Sequence, residues 1–104
     1  MLIVNTPTVP NKEIKKVHGL ARGNAVRARN FGRDIFAGLK NIIGGEISEY
    51  TKLQADSREQ ALQRLVDDAE RMGANAVINL RFTTTMVMQS CSEMLAYGTA
   101  VTVQ

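Results

Sequence analysis

The sequence has little of what most functional chemistry is built from. Its 104 residues include one cysteine, one histidine, two prolines and no tryptophan, and only 5% are aromatic. One cysteine excludes a disulfide framework within the chain and suits a reducing compartment. One histidine beside one cysteine excludes zinc-finger spacings and any His-rich metal site in a single chain. Few prolines and a hydrophobic fraction of 44% exclude a disordered polypeptide. Apolar runs are only a few residues long, too short to span a bilayer. Met1-Leu2-Ile3-Val4 lacks the basic leader and apolar core of a signal peptide. The expectation is one soluble, cytoplasmic domain over residues 1–104, because a second core would not fit in this length.

Charge is present but unevenly spread. Residues 1–45 hold eight Lys/Arg against Glu13 and Asp34, residues 46–72 hold seven acids against four bases, and the rest holds only Arg81 and Glu93. A basic half can meet nucleic acid, an anionic ligand, the acidic helix of a neighbouring copy, or water. The basic residues are dispersed and few aromatics interleave with them, which speaks against nucleic acid as a partner.

Hydropathy patterning supplies the elements. Pro7 and Pro10-Asn11 end a short N-terminal apolar segment. Lys15 to Arg29 is extended, and Gly19 and Gly23 within it predict a bulge or a close backbone approach. Asn30 can cap a helix with Phe31, Ile35, Phe36, Leu39, Ile42 and Ile43 on one face, stopped by Gly44-Gly45. A second helix carries the stripe Ala61, Leu62, Leu65, Val66, Ala69 and Met72 and ends at Gly73. Its start lies near Glu46, although Ser57-Arg58-Glu59-Gln60 also fits a capping box. Two strands then form a hairpin, one alternating from Ala76 to Met88, the other running from Met94 to Val103, with a turn at Gln89-Ser90-Cys91-Ser92. The second strand has uncharged residues on both faces. Helices can cover only one of them, so the pattern predicts a homo-oligomer.

Several runs resemble one family. Arg27-Ala28-Arg29-Asn30 leads into Arg33-Asp34-Ile35-Phe36-Ala37-Gly38-Leu39-Lys40, followed by Gly44-Gly45-Glu46 and Glu49-Tyr50-Thr51. Gly73-Ala74-Asn75-Ala76-Val77, Arg81-Phe82-Thr83-Thr84 and Glu93-Met94-Leu95-Ala96-Tyr97-Gly98-Thr99-Ala100-Val101 come later. In this order and spacing they resemble the YbjQ-like family of small bacterial and archaeal proteins, over about Asn5 to Val103. That family also carries a heavy-metal-binding label. The resemblance implies an α+β fold similar to the dodecin subunit, a small antiparallel sheet with two helices, assembled as a pentameric ring. It implies little about activity. Where relatives place small residues before the last strand, this chain has Gln89-Ser90-Cys91-Ser92, so Cys91 is not a ligand that the resemblance supplies.

Three functional readings follow. The first is a non-catalytic oligomeric scaffold or small-ligand module with no resident cofactor. Its inter-subunit clefts would be lined by Arg29, Asn30, Arg33, Asp34 and Glu46 and by the stretch of Tyr97 and Thr99. The second is a soft metal ion such as Cu(I), held by Cys91 with Met86, Met88 and Met94, or by copies of Cys91 or His18 on a ring axis. Against it, Met86 and Met88 fall on the alternation expected of core-filling methionines. The third is an enzyme, for which His18 and Cys91 are the one formal nucleophile–base pair and nothing in the spacing brings them together. Gly44-Gly45 could offer amides to a phosphate but lacks the Lys-Ser/Thr of a P-loop.

Overall fold

The structure, a computed structural model, describes residues 1–28, 48–88 and 91–104. Its elements are strands β1 (Leu2–Ile3) and β2 (Ile14–Ala28), helix α1 (Ser48–Arg71), and strands β3 (Ala76–Met88) and β4 (Cys91–Val103). The strands form one sheet in the order β1-β3-β4-β2. The three long strands pair antiparallel, as the hairpin pattern predicts, whereas β1 runs parallel to β3 through Leu2–Ala76 and Ile3–Val77. The sheet is therefore mixed. The chain reaches β1 and the far strand without a hairpin between them, so their direction is free of the local rule that makes hairpins antiparallel. The fold is α+β, with one helix among the described residues. The helix expected from Asn30 to Ile43 lies outside them.

Helix α1 begins well before Ser57, consistent with the earlier of the two starts. Ser57 is buried within the helix and cannot act as its N-cap. The stripe behaves as its spacing predicts. Ala61, Leu65 and Ala69 are fully buried, and Leu62 and Met72 pack at the margin of the same cluster. Gly73 ends the helix at φ 88°, with its amide on the Glu70 carbonyl and the Ala74 amide on the Ala69 carbonyl. These two bonds are a Schellman cap, which needs a residue tolerant of positive φ at this point.

The sheet has a helix side and an opposite side. On the helix side, Ala21, Ala25, Val77, Met94, Ala96 and Ala100 form one cluster with α1. Small residues here let the helix backbone approach closely. A Cβ on Gly23 would collide with the backbone of α1 at the Leu65 nitrogen and the Ala61 oxygen. On the opposite side, Ala76, Ile78, Val101 and Val103 are covered by Val9 with Val4 and Ile14, so the N-terminal segment closes a second, smaller core over one end of the sheet. Pro10-Asn11 makes the expected turn, with Asn11 at φ 65° and the Lys12 amide on the Val9 carbonyl.

Bulges decide which residues face which way. The one expected in β2 falls between Val17 and Gly19, where Gly19 has φ 128°. A second, in β3 between Ile78 and Arg81, has Asn79 at φ 55° and corrects the sequence reading. Unbroken alternation puts Ala76, Ile78, Phe82, Thr84 and Met86 on one face. The extra residue instead sends Ala76 and Ile78 to the N-terminal-segment side, and Phe82, Thr84 and Met86 to the helix side. Gly98 sits across from this bulge, where a Cβ would lie 2.7 Å from Val77 Cγ1 and 2.9 Å from the Ile78 oxygen.

Candidate functional site

The second core reaches only partway along its side of the sheet. Beyond it the surface is open, and register determines what stands there. Tyr97 on β4 is opposite Arg22 on β2 and opposite Arg81 on β3, so the three side chains form one cross-strand row. Directly opposed Cβ atoms in antiparallel strands are about 5 Å apart, close enough for an arginine to lie against a tyrosine ring. The next row along is Asn24, Leu95 and Thr83. Thr99, two residues from Tyr97, points to this same side, opposite Leu20.

Two members of the row are placed by contacts of their own. The Arg22 amide donates to Asp68 Oδ2 at 3.1 Å, which pins β2 to the helix and leaves the guanidinium exposed. Arg81 donates from Nη1 to the carbonyls of Asn5 at 3.0 Å and Leu80 at 2.8 Å, holding its guanidinium beside the N-terminal segment. Tyr97 keeps 36% of its surface exposed. Along the sequence, few aromatics interleave with the basic residues. Pairing supplies one, because Arg22, Arg81 and Tyr97 are remote in sequence and become neighbours only through register.

Beside this row, at the outer edge of β2, lies a cavity of about 470 Å³ lined by Arg22, Asn24, Asp68, Glu93 and Leu95. Asp68 is held on its helix by Arg71 Nη2 at 2.8 Å. Arg64 donates to the Asn24 carbonyl at 2.5 Å. The cavity thus pairs one exposed arginine with two carboxylates and an amide, a lining that can take both an anion and hydroxyl donors.

The sulfur residues do not converge. Met86 and Met94 belong to the helix side. Cys91, three residues from Met94 on the same strand, belongs to the opposite face. Met94 is buried and receives the Thr84 hydroxyl on its sulfur at 3.2 Å. Met86 is 75% exposed, which corrects its reading as a core-filling residue. The cause is that α1 covers β2 and β4 and leaves this part of β3 bare. Met88 pairs with Cys91 in register. His18 lies at the other end of β2, its Nε2 2.7 Å from Thr102 Oγ1, whereas Cys91 pairs with Ala28. Ten residues of strand put them roughly 33 Å apart, too far for a nucleophile–base pair within one chain. Among the described residues no three His, Cys, Asp or Glu side chains gather as a metal site. The described residues of one chain therefore gather no donor set that fits a heavy metal. Arg29, Asn30, Arg33, Asp34 and Glu46 lie outside the described residues, as does the Gly44-Gly45 turn. No helix among the described residues is long and apolar enough to cross a membrane.

Comparison with known proteins places these features in a family. The family described as "putative heavy-metal-binding" matches residues 1–104. A UPF0145 protein of Methanosarcina acetivorans is 52% identical over 101 residues, covering 97% of this chain and 95% of its own length. A UPF0145 protein of Hahella chejuensis is 53% identical over 104 residues, with both chains covered completely. A crystal structure from Pediococcus pentosaceus, of a protein whose function is unknown, superposes with a TM-score of 0.70 at 15% identity, covering 100% of this chain and 98% of the other. That likeness establishes the fold.

Proposed function

The chain belongs to the YbjQ family, and on that premise we propose that it works in the cytoplasm as a non-catalytic subunit of a closed homo-oligomeric ring, a scaffold or binding module for a small ligand or ion. The supporting observation is the distribution of bare apolar side chains. Val17 and Leu20 on β2 are 62% and 59% exposed on the side of the sheet away from the helix. Phe82 and Met86 on β3 are 38% and 75% exposed on the helix side. These are different strands and different faces. A patch that recognises itself gives a two-fold dimer, whereas two complementary patches on one subunit give head-to-tail contacts, which close into a ring or run on as a filament. Solubility favours closure, and five copies is the number that the family resemblance implies.

Native mass spectrometry of the purified protein tests this directly. A single species at five times the chain mass is expected. A stable monomer at micromolar concentration overturns the reading. Metal binding, which the family description carries, would draw on donors from several copies, because the described residues of one chain gather no such site. The same spectrum reads it as added mass that is removed by chelator and absent from Cys91→Ser.

A further inference from the structure

We propose that the row Arg22–Tyr97–Arg81, with the adjoining cavity at the β2 edge, binds a nucleotide unit: a base stacked on Tyr97 and flanked by Arg81, its phosphate on Arg22, and its sugar hydroxyls on Asp68 or Glu93. This goes beyond the ring reading and does not depend on it. The argument begins with the tyrosine ring. A flat aromatic on an uncovered sheet face stacks on any base, and the Arg22 guanidinium on the cavity side supplies the charge that a phosphate needs. A bidentate arginine–phosphate contact also fixes orientation, which a lysine would not. Arg81 is already held through one nitrogen by the Asn5 and Leu80 carbonyls, so little of its side-chain freedom is lost when a ligand arrives.

The cavity sets the size and polarity of what is bound. About 470 Å³ is within the range of small-ligand sites. Its carboxylates repel a second anionic group and accept hydrogen bonds from hydroxyls, so the lining matches a sugar between a base and a single phosphate better than a polyphosphate. Asn24 adds an amide that can either donate or accept. The pattern also accounts for an otherwise idle charge. Among the described residues the Arg22 guanidinium has no acidic partner, even though Asp68 sits beneath its own backbone.

The unit could come from a free mononucleotide or from a single strand, and the test separates them. Adenosine 5′-monophosphate and a short single-stranded oligothymidylate are titrated into the protein by calorimetry. The ring signals of the two tyrosines are followed by NMR, with Tyr50 as the internal control. Upfield movement of the Tyr97 signals alone is expected with at least one probe. Affinity should fall by about tenfold or more in Arg22→Gln, the scale of a lost charge-assisted hydrogen bond. Tyr97→Ala should abolish binding and Tyr97→Phe should retain it, because stacking needs the ring and not the hydroxyl. If the oligonucleotide binds with a steep salt dependence and the mononucleotide does not, the source is a strand. No shift of Tyr97 at about 10 mM of either probe, an affinity too weak to matter in a cell, overturns the proposal. So does unchanged binding in Arg22→Gln, or a row whose variants alter only the mass of the assembly. Mass is measured on the same samples. A monomer that binds nucleotide refutes only the ring, and a ring that does not bind refutes only this site.

Discussion

Single residues govern how closely the layers of this protein meet. Gly23 is the sharpest case, because the atoms that a side chain would strike are helix backbone, which cannot rotate away. Gly23→Ala should destabilise the protein by about 3 kcal/mol or more, at the upper end of overpacking costs, measured by urea denaturation. Gly19→Ala meets no neighbour and should cost only the strain of its positive φ, about 1–3 kcal/mol. The contrast separates a glycine needed for space from one needed for conformation. Asn75 works through its side chain. Its amide donates to the Val103 carbonyl at 2.9 Å and its oxygen accepts from the Val103 amide at 2.8 Å, imitating a strand partner. Asn75→Ala should lose about 1–2 kcal/mol and loosen the end of β4, visible as faster hydrogen exchange at Val103.

At the scale of elements, α1 does two tasks at once. Its buried stripe closes the core, and its polar flank seals the outer edge of β2, where Asp68 takes the Arg22 amide and Arg64 the Asn24 carbonyl. An open strand edge invites pairing with other chains. Asp68→Ala should therefore raise hydrogen exchange at the Arg22 amide by an order of magnitude or more while leaving the helix intact, because a bonded amide is returned to water. The helix stripe, the Gly73 stop, the hairpin and the β2 bulge were all legible, since each depends on residues close together in sequence. The parallel pairing of β1 was not, because two residues carry no period. Nor was the arginine–tyrosine row. It depends on register across three strands, and register passes through a bulge at Asn79 that simple alternation does not reveal. The sulfur residues were read as neighbours for the same reason. Proximity in a hairpin was legible in them, but the face each occupies was not.

As a whole, the protein is long. Its extents are 54 × 22 × 16 Å and its radius of gyration is 17.2 Å, against about 13 Å for a compact chain of this size. The 15-residue β2 sets the length, since a strand of that size spans roughly 50 Å. A shape like this leaves apolar side chains such as Val17, Leu20 and Met86 exposed, which is the surface the proposed ring would bury. On the proposed ring, Met86→Glu should give smaller species than the wild type, read by light scattering, with circular dichroism unchanged because this side chain contributes little to the core. Leu65→Ala should do the reverse, costing about 2–5 kcal/mol of fold stability through a cavity under the helix without touching the exposed patches. The kink at Asn79 has a consequence that unites these scales. It acts as a parity switch: one surplus residue lets a single strand seal one layer with its first half and serve the other with its second. Excising Asn79 would turn Phe82 and Met86 over to the side that now presents Arg81, Thr83 and Thr85. Sticky and charged surfaces would trade places in one stroke, so the spacing of β3, more than the identity of its residues, is what the molecule can least vary.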